Sequence, residues 1–384
     1  MERAPLDARD IEVIAANLKR RHTGVTSTIA ALLPVQSRRV KIAALGMQIP
    51  DDWPRITWAG FLRHAWRPPA GRRFRIWHAR RNNEMLAGLF LRHVLRIPLK
   101  LVFTSAAQRD HTWLTRTLLA RMDRVIATTP EAASHLRVPA DVILHGVDVE
   151  RYRPAINRDA EWAATGLPGR FGIGVFGRVR RQKGTDLFVE AMCRLLPRHP
   201  DFTAIVVGAV TPDQRLFFEA LKARVASAGL TGRIRFLGER PPEEVPEWMR
   251  RVTIVVGPQR WEGFGLVPIE AMASGTAVVA TTVGAAPHLI IEGETGHLIP
   301  PENLEALCER IEGLMTDTAR AVDMGRRGRA HVLARFSIER EAEQIAGVYQ
   351  CCWNGEALQA GRGAVAAGPV ARSVVGPERS QQVE

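Results

Sequence analysis

Short apolar runs alternate with amphipathic stretches from one end of this chain to the other, and they do so in two separate series. In the first, Ile11–Ala16, Val40–Leu45, Phe74–Trp77, Leu101–Thr104, Arg124–Thr128 and Val142–Leu144 read as strands. Helical patterns lie between them at Thr26–Leu33, Asn83–Leu95, Thr112–Met122 and Pro130–Leu136. Such alternation calls for a parallel sheet covered on both faces. Val149–Arg170, with Pro154, Pro168 and several charges, breaks the pattern and reads as a linker. The alternation then restarts, with strands at Ile173–Phe176, Ala204–Val207, Ile234–Leu237, Thr253–Val256 and Ala277–Ala280. Helices follow at about 303–315, 318–334 and 338–353. The expected fold class is α/β, with two doubly wound domains at 1–150 and 171–336 joined by a linker at 151–170. Helix 337–353 is placed to cross back to the first domain, and the Gly-, Ala-, Ser- and Gln-containing tail 354–384 reads as disordered. Two such domains in tandem create a cleft between the carboxyl edges of their sheets, where open α/β sheets bind ligands.

Charge divides the chain in the same place. The 384 residues carry a formal charge of +13, of which residues 1–150 supply 24 basic and 13 acidic side chains and the rest 29 and 27. Something anionic is therefore expected to dock on the first half, and nucleic acid, an anionic membrane surface and a phosphorylated substrate all qualify. No nucleic-acid-reading signature is present, which argues against the first of these. The four cysteines show no metal spacing, and Cys351 and Cys352 are poorly placed for a disulfide. No secretory signal or run of 18 apolar residues occurs, so the expectation is a soluble protein on the cytoplasmic side.

Three segments carry chemistry. Trp261-Glu262-Gly263-Phe264-Gly265-Leu266-Val267-Pro268-Ile269-Glu270 follows the strand Thr253–Val256. Gly263 and Gly265 let backbone N–H groups approach a ligand, and the helix that opens at Pro268 turns its positive end to the loop. Glu262 and Glu270, eight apart, can accept hydrogen bonds from sugar hydroxyls. The second segment, Gly177-Arg178-Val179-Arg180-Arg181-Gln182-Lys183-Gly184, is a basic loop between a strand and a helix. Arg178 and Lys183 can both reach one diphosphate, the first as a planar fork and the second as a point charge. The Gly-x-Gly-x-x-Gly string ending at Gly177 is discounted as a dinucleotide fingerprint because it lies inside the strand. Third, Arg20-Arg21-His22-Thr23-Gly24 follows the first strand, so that Gly24 would let the first domain close on phosphates from the opposite side.

The Glu262/Glu270 pair around Gly-Phe-Gly, the Arg178/Lys183 loop and His145-Gly146-Val147-Asp148 together resemble the GT-B glycosyltransferases of family 4, over about residues 10–350. Within that family, Arg21–Thr28 and Phe103–Arg109 look like lipopolysaccharide core mannosyltransferases. The resemblance implies two Rossmann-like domains and retaining, metal-independent transfer from a nucleotide-sugar, here mannose from GDP-mannose, to a Kdo–lipid A core precursor. No metal ligands and no other cofactor are expected. By the same resemblance, Arg178 and Lys183 neutralise the departing diphosphate, and Glu262 with Gly263, Phe264, Gly265 and Leu266 holds the sugar. Glu270 takes the ribose, and Gly238-Glu239 lies where the base-binding loop falls. A UDP-hexose donor with another anionic lipid-linked acceptor, a basic nucleic-acid-binding protein and a nucleotide-sugar epimerase remain the alternatives.

The basic half is read as the acceptor side. From Arg63 to Lys100 there are ten basic residues and one acid, Glu84. Trp58, Phe61, Leu62 and Trp66 alternate with Arg63 and Arg67 as in an interfacial amphipathic segment. Arg72, Arg73, Arg75, Arg80, Arg81 and Arg109 are candidates to meet phosphates or carboxylates, and His78 to line the acceptor pocket. The expected location is peripheral, on the cytoplasmic face of the inner membrane.

Overall fold

The protein is described from a computed structural model, which covers residues 7–19, 24–47, 49 and 53–356. Arg20–Thr23 and most of the C-terminal tail, 357–384, lie outside the described residues. In the first domain β1 (Val13–Asn17), α1 (Gly24–Gln36), β2 (Ile42–Gly46), β3 (Arg55–Ile56) and α2 (Trp58–His64) are followed by β4 (Arg75–Ala79) and α3 (Asn82–His93). Then come β5 (Leu99–Ser105), α4 (Trp113–Leu119), β6 (Arg124–Ala127), α5 (Pro130–Ser134) and β7 (Asp141–Val142). All pairings are parallel, in the order β3-β2-β1-β4-β5-β6-β7.

The connection contains α6 (Arg158–Ala163), where the sequence predicts only a linker. Asn157 caps it, and Trp162 is buried so closely over Gly172 that a methyl there would lie 2.4 Å from the indole. Residues 151–170 are thereby packed onto the second domain. That domain comprises β8 (Phe171–Phe176), α7 (Thr185–Leu195), β9 (Phe202–Val207), α8 (Arg215–Ser227), β10 (Ile234–Gly238) and α9 (Val245–Arg251). It continues with β11 (Ile254–Gly257), α10 (Val267–Ala273), β12 (Ala277–Thr281), α11 (Ala286–Leu289) and β13 (His297–Ile299). Its sheet is parallel in the order β10-β9-β8-β11-β12-β13. Helices α12 (Leu304–Thr316), α13 (Thr318–Arg335) and α14 (Ile338–Asn354) close the chain.

Both sheets are sandwiched between helices, so their central strands are apolar on both faces. In the first domain Phe61, Met85, Leu91, Leu118 and Ala132 of α2–α5 pack on one face. The other face is covered by α1 and α14. Ile338, Ala342, Ile345, Tyr349 and Cys352, spaced alternately by four and three, join Val13, Ala15, Ile42, Ile76 and Val102 in one core. The last helix therefore belongs to the first domain's core although it follows the second domain in sequence. Ser337 caps it by accepting from the Arg340 N–H.

Candidate active site

Each sheet reverses its strand order once, between β1 and β4 and between β8 and β11. Loops leaving neighbouring strands at such a point diverge to opposite faces and leave a crevice. In the second domain these are the loops that carry the Arg178/Lys183 and Glu262–Gly265 segments. Two groups press them together. The Arg260 N–H donates to the Gln182 carbonyl at 2.9 Å. Its guanidinium grips Asp186, in the first turn of α7, through two bonds of 2.8 and 2.9 Å. Gly184 turns the chain at φ +70°, and a methyl there would lie 1.9 Å from the Pro258 carbonyl oxygen.

The consequence is that Lys183 and Glu262, 79 positions apart in sequence, form an ion pair. The second carboxylate oxygen of Glu262 accepts from the Gly263 N–H at 3.1 Å. An ammonium has three donors, so Lys183 can keep Glu262 and still meet a phosphate oxygen. Arg178 is exposed at the end of β8, on the same crevice. Phe264 is buried, its carbonyl accepting from the Ala285 N–H at 2.7 Å. Glu270 lies in α10 and is part-buried, with the Tyr152 hydroxyl as a hydrogen-bond partner; burial raises its pKa above the usual glutamate value. Gly238-Glu239 is exposed at the end of the edge strand β10, two strands along from β8.

The first domain meets this loop directly. The Ala106 carbonyl, just past β5, would lie 2.9 Å from any methyl placed on Gly263, so the close approach of the two domains requires glycine there. Glu131 of α5 pairs with His288 of α11 at 2.7 Å. His145 packs edge-on against Phe264, with ring centroids 4.7 Å apart. Its Nδ1 is 2.7 Å from one oxygen of Glu341, and the other oxygen accepts from the Gly146 N–H at 2.8 Å. The first switch point, meanwhile, holds a buried polar cluster: Arg81 reaches Glu84 at 2.7 Å, Asn17 at 2.9 Å and Thr26 at 3.1 Å.

The model for the family described as "Glycosyl transferases group 1" matches residues 161–331, which include both loops of the second crevice. The lipopolysaccharide core biosynthesis mannosyltransferase LpcC of Rhizobium leguminosarum bv. viciae is 54% identical over 344 residues, 89% of this chain and 97% of that relative. The chain belongs to the group 1 glycosyltransferases. LpsB of Rhizobium meliloti, of the same description, is 48% identical over 90% of this chain and 99% of its own. Among solved structures, Anabaena HepE in complex with UDP superposes with a TM-score of 0.75 at 19% identity over 88% of this chain and all of HepE. Sucrose-phosphate synthase from Thermosynechococcus elongatus gives 0.73 at 22% identity, over 90% of this chain and 99% of its own. The glycosyltransferase thus has the GT-B fold, two parallel-sheet α/β domains facing across a cleft.

Several sequence-predicted acceptor residues of this glycosyltransferase are held elsewhere. Arg75 is buried at the amino end of β4, and its guanidinium donates to the carbonyls of Arg9, Ile11, His64, Ala65 and Arg67. It clamps backbone and is unavailable to a ligand. Arg72 pairs with Glu12 at 2.6 Å and stacks over the Trp353 ring at 3.7 Å. Together with exposed Arg73 it lies ahead of the amino end of β4, at the edge of the sheet away from the cleft. His78 is wholly buried between the Tyr349 hydroxyl, 2.6 Å away, and Thr104 Oγ1, 2.7 Å away, so it lines no pocket. Trp58 is 40% exposed but packs on Phe61 and Trp77, Phe61 itself being buried. Arg63 and Trp66 are exposed, the Trp66 indole donating to the Leu95 carbonyl. Arg109 is exposed in the loop after β5, on the cleft side, and Gly24 is the first residue of α1.

Arg260, Glu341 and Tyr152 are not singled out as site residues by the sequence, whereas Arg80 is, as a candidate to meet phosphates or carboxylates. Arg80 is enclosed beyond the end of β4, and one of its guanidinium nitrogens has no partner among the described residues. Among those residues no three His, Cys, Asp or Glu side chains gather as a metal site, and no helix is long and apolar enough to cross a membrane.

Proposed function

We propose that this glycosyltransferase moves mannose from GDP-mannose, with retention of configuration, onto the Kdo region of a lipid A-linked lipopolysaccharide core precursor. The convergence of Lys183, Glu262 and Arg178 on one crevice carries the catalytic part of this reading. The substrate part is supported by relatives of that description that share both domains with this chain. Breaking the sugar–phosphate bond leaves charge on the diphosphate while the sugar becomes oxocarbenium-like. Arg178 and Lys183 are already in place for the first charge and the Phe264 and Gly265 amides for the sugar hydroxyls, which lowers the barrier without reorganisation. Glu262, fixed by Lys183 and the Gly263 N–H, orients the sugar, and Glu270 accepts from the ribose. The acceptor oxygen attacks from the face the diphosphate leaves, and its proton passes to the leaving phosphate oxygen, so no side-chain base is assigned. The two cations take the role a metal would fill, and the reading includes no metal. It also places the protein on the cytoplasmic side, peripheral to the inner membrane.

A donor screen tests this reading. Purified protein is incubated with a Kdo–lipid A acceptor and labelled GDP-mannose, UDP-glucose or UDP-galactose, and label is followed into lipid, with and without EDTA. The expected result is α-linked mannose from GDP-mannose alone, at equal rates in EDTA. Transfer from a UDP-sugar but not from GDP-mannose overturns the donor assignment, and loss of transfer in EDTA overturns the metal-free mechanism.

A further inference from the structure

Helix α3 turns Met85, Gly88 and Leu91 to the first sheet. Its opposite face carries Leu86, Phe90 and Val94, spaced by four and 47%, 53% and 61% exposed. The solvent face of such a helix is ordinarily polar, and here it is a stripe of three large apolar side chains. The stripe continues past both ends. At the carboxyl end the Trp66 indole, 52% exposed, donates to the Leu95 carbonyl at 2.8 Å. At the amino end Asn82 donates to Thr115 of α4 at 2.8 Å, which brings Trp113 and Leu114, 73% and 46% exposed, alongside. These side chains make a raised ridge on the outer surface of the first domain.

Cations border it. Arg63 and Arg67 are exposed around Trp66, Arg96 beyond Val94 and Arg109 just ahead of Trp113. Between residues 58 and 122 the only carboxylates are Glu84, buried against Arg81, and Asp110. An apolar stripe inside a basic border complements an anionic bilayer, whose acyl chains accept Leu, Phe and Trp while its phosphates meet the guanidiniums. We infer that the α3–α4 ridge is the surface by which this glycosyltransferase lies on an anionic lipid bilayer, an assignment that rests on the lipid-borne acceptor proposed above. The ridge starts where α3 and α4 start, at the carboxyl edge of the sheet, so docking through it sets the mouth of the cleft at headgroup level. The membrane contact thereby keeps Arg63, Trp66 and Arg67 of the Trp58–Arg67 segment, leaves out Arg72–Arg75, and extends over the outer faces of α3 and α4.

The test compares the full-length protein with the L86S/F90S double variant on sedimenting vesicles of equal parts phosphatidylethanolamine and phosphatidylglycerol, or of phosphatidylcholine alone. The wild type is expected to partition onto the anionic vesicles only, and the double variant at least about tenfold less. L216S, which alters an exposed leucine of α8 in the second domain, is expected to partition like the wild type. Melting temperature and transfer to a detergent-solubilised acceptor should be unchanged in both variants. Equal partition of wild type and double variant overturns the assignment, as does absent wild-type binding or equal binding to phosphatidylcholine. A wild-type dimer that the double variant loses also overturns it, since the ridge would then face a second copy. Failure of transfer to the solubilised acceptor contradicts the proposed reaction instead, and the partition measurement reads separately from it.

Discussion

His78 shows how a residue that looks chemical in sequence can be structural in the fold. Burial, with Arg80 nearby, holds its pKa well below the ordinary 6.5, so it is neutral when folded. In a neutral imidazole one nitrogen donates and the other accepts, which suits the hydroxyls of Tyr349 and Thr104 on either side. The unfolded chain takes up a proton at about 6.5 that the folded chain refuses, so stability falls as pH drops below that value. The slope is up to about 1.4 kcal/mol per pH unit for one site. Chemical denaturation of wild type and H78Q between pH 7.5 and 5.5 checks this: the variant is expected to lose part of the slope, and identical slopes would contradict it. Nothing in the sequence separates His78 from a ligand histidine, because its partners stand 26 and 271 positions away. Lys183 and Glu262 were legible for the opposite reason: each lies in a local strand–loop–helix pattern whose geometry follows from a few neighbouring residues.

At the level of elements, both series of strands and most helices follow from apolar periodicity, because every central strand is covered on both faces. Helix α6 did not, since its six residues are too few to show a period and its anchor is the single residue Trp162. Helix α14 was legible as a helix, and its four-three apolar stripe is what covers the first sheet. Its Glu341 ties that helix to His145 and Gly146, and through the His145 ring to Phe264. Glu341 is thus a positioning residue for the Gly263–Gly265 loop. Removing it leaves a part-buried imidazole and an amide without their acceptor. E341A is expected to lose about 1–3 kcal/mol of stability and to raise donor KM, measured by denaturation and by initial rates, whereas E341Q keeps one acceptor and loses less. A donor KM unchanged in E341A would separate α14 from the donor loop.

For the whole molecule, the charge asymmetry and the two switch points describe one division of labour. On the proposed reaction the nearly neutral second domain would need only a few fixed cations for the donor, and the excess charge of residues 1–150 would lie on the domain that faces the acceptor and, as inferred, the membrane. The domains touch through Ala106 against Gly263 and through Glu131 with His288. The latter pair is half-exposed on the Glu131 side, so E131Q is expected to change donor KM by no more than about fivefold, the reach of a surface ion pair. A larger change in the initial-rate KM would mean that the pair governs closure. The central claim is that a fold built from two distant loops delivers Lys183 to the leaving diphosphate. The most direct measurement is the turnover number of K183A under saturating donor and acceptor, beside its melting curve. The account predicts a loss of at least about 100-fold with the fold intact, and turnover near that of the wild type would contradict it.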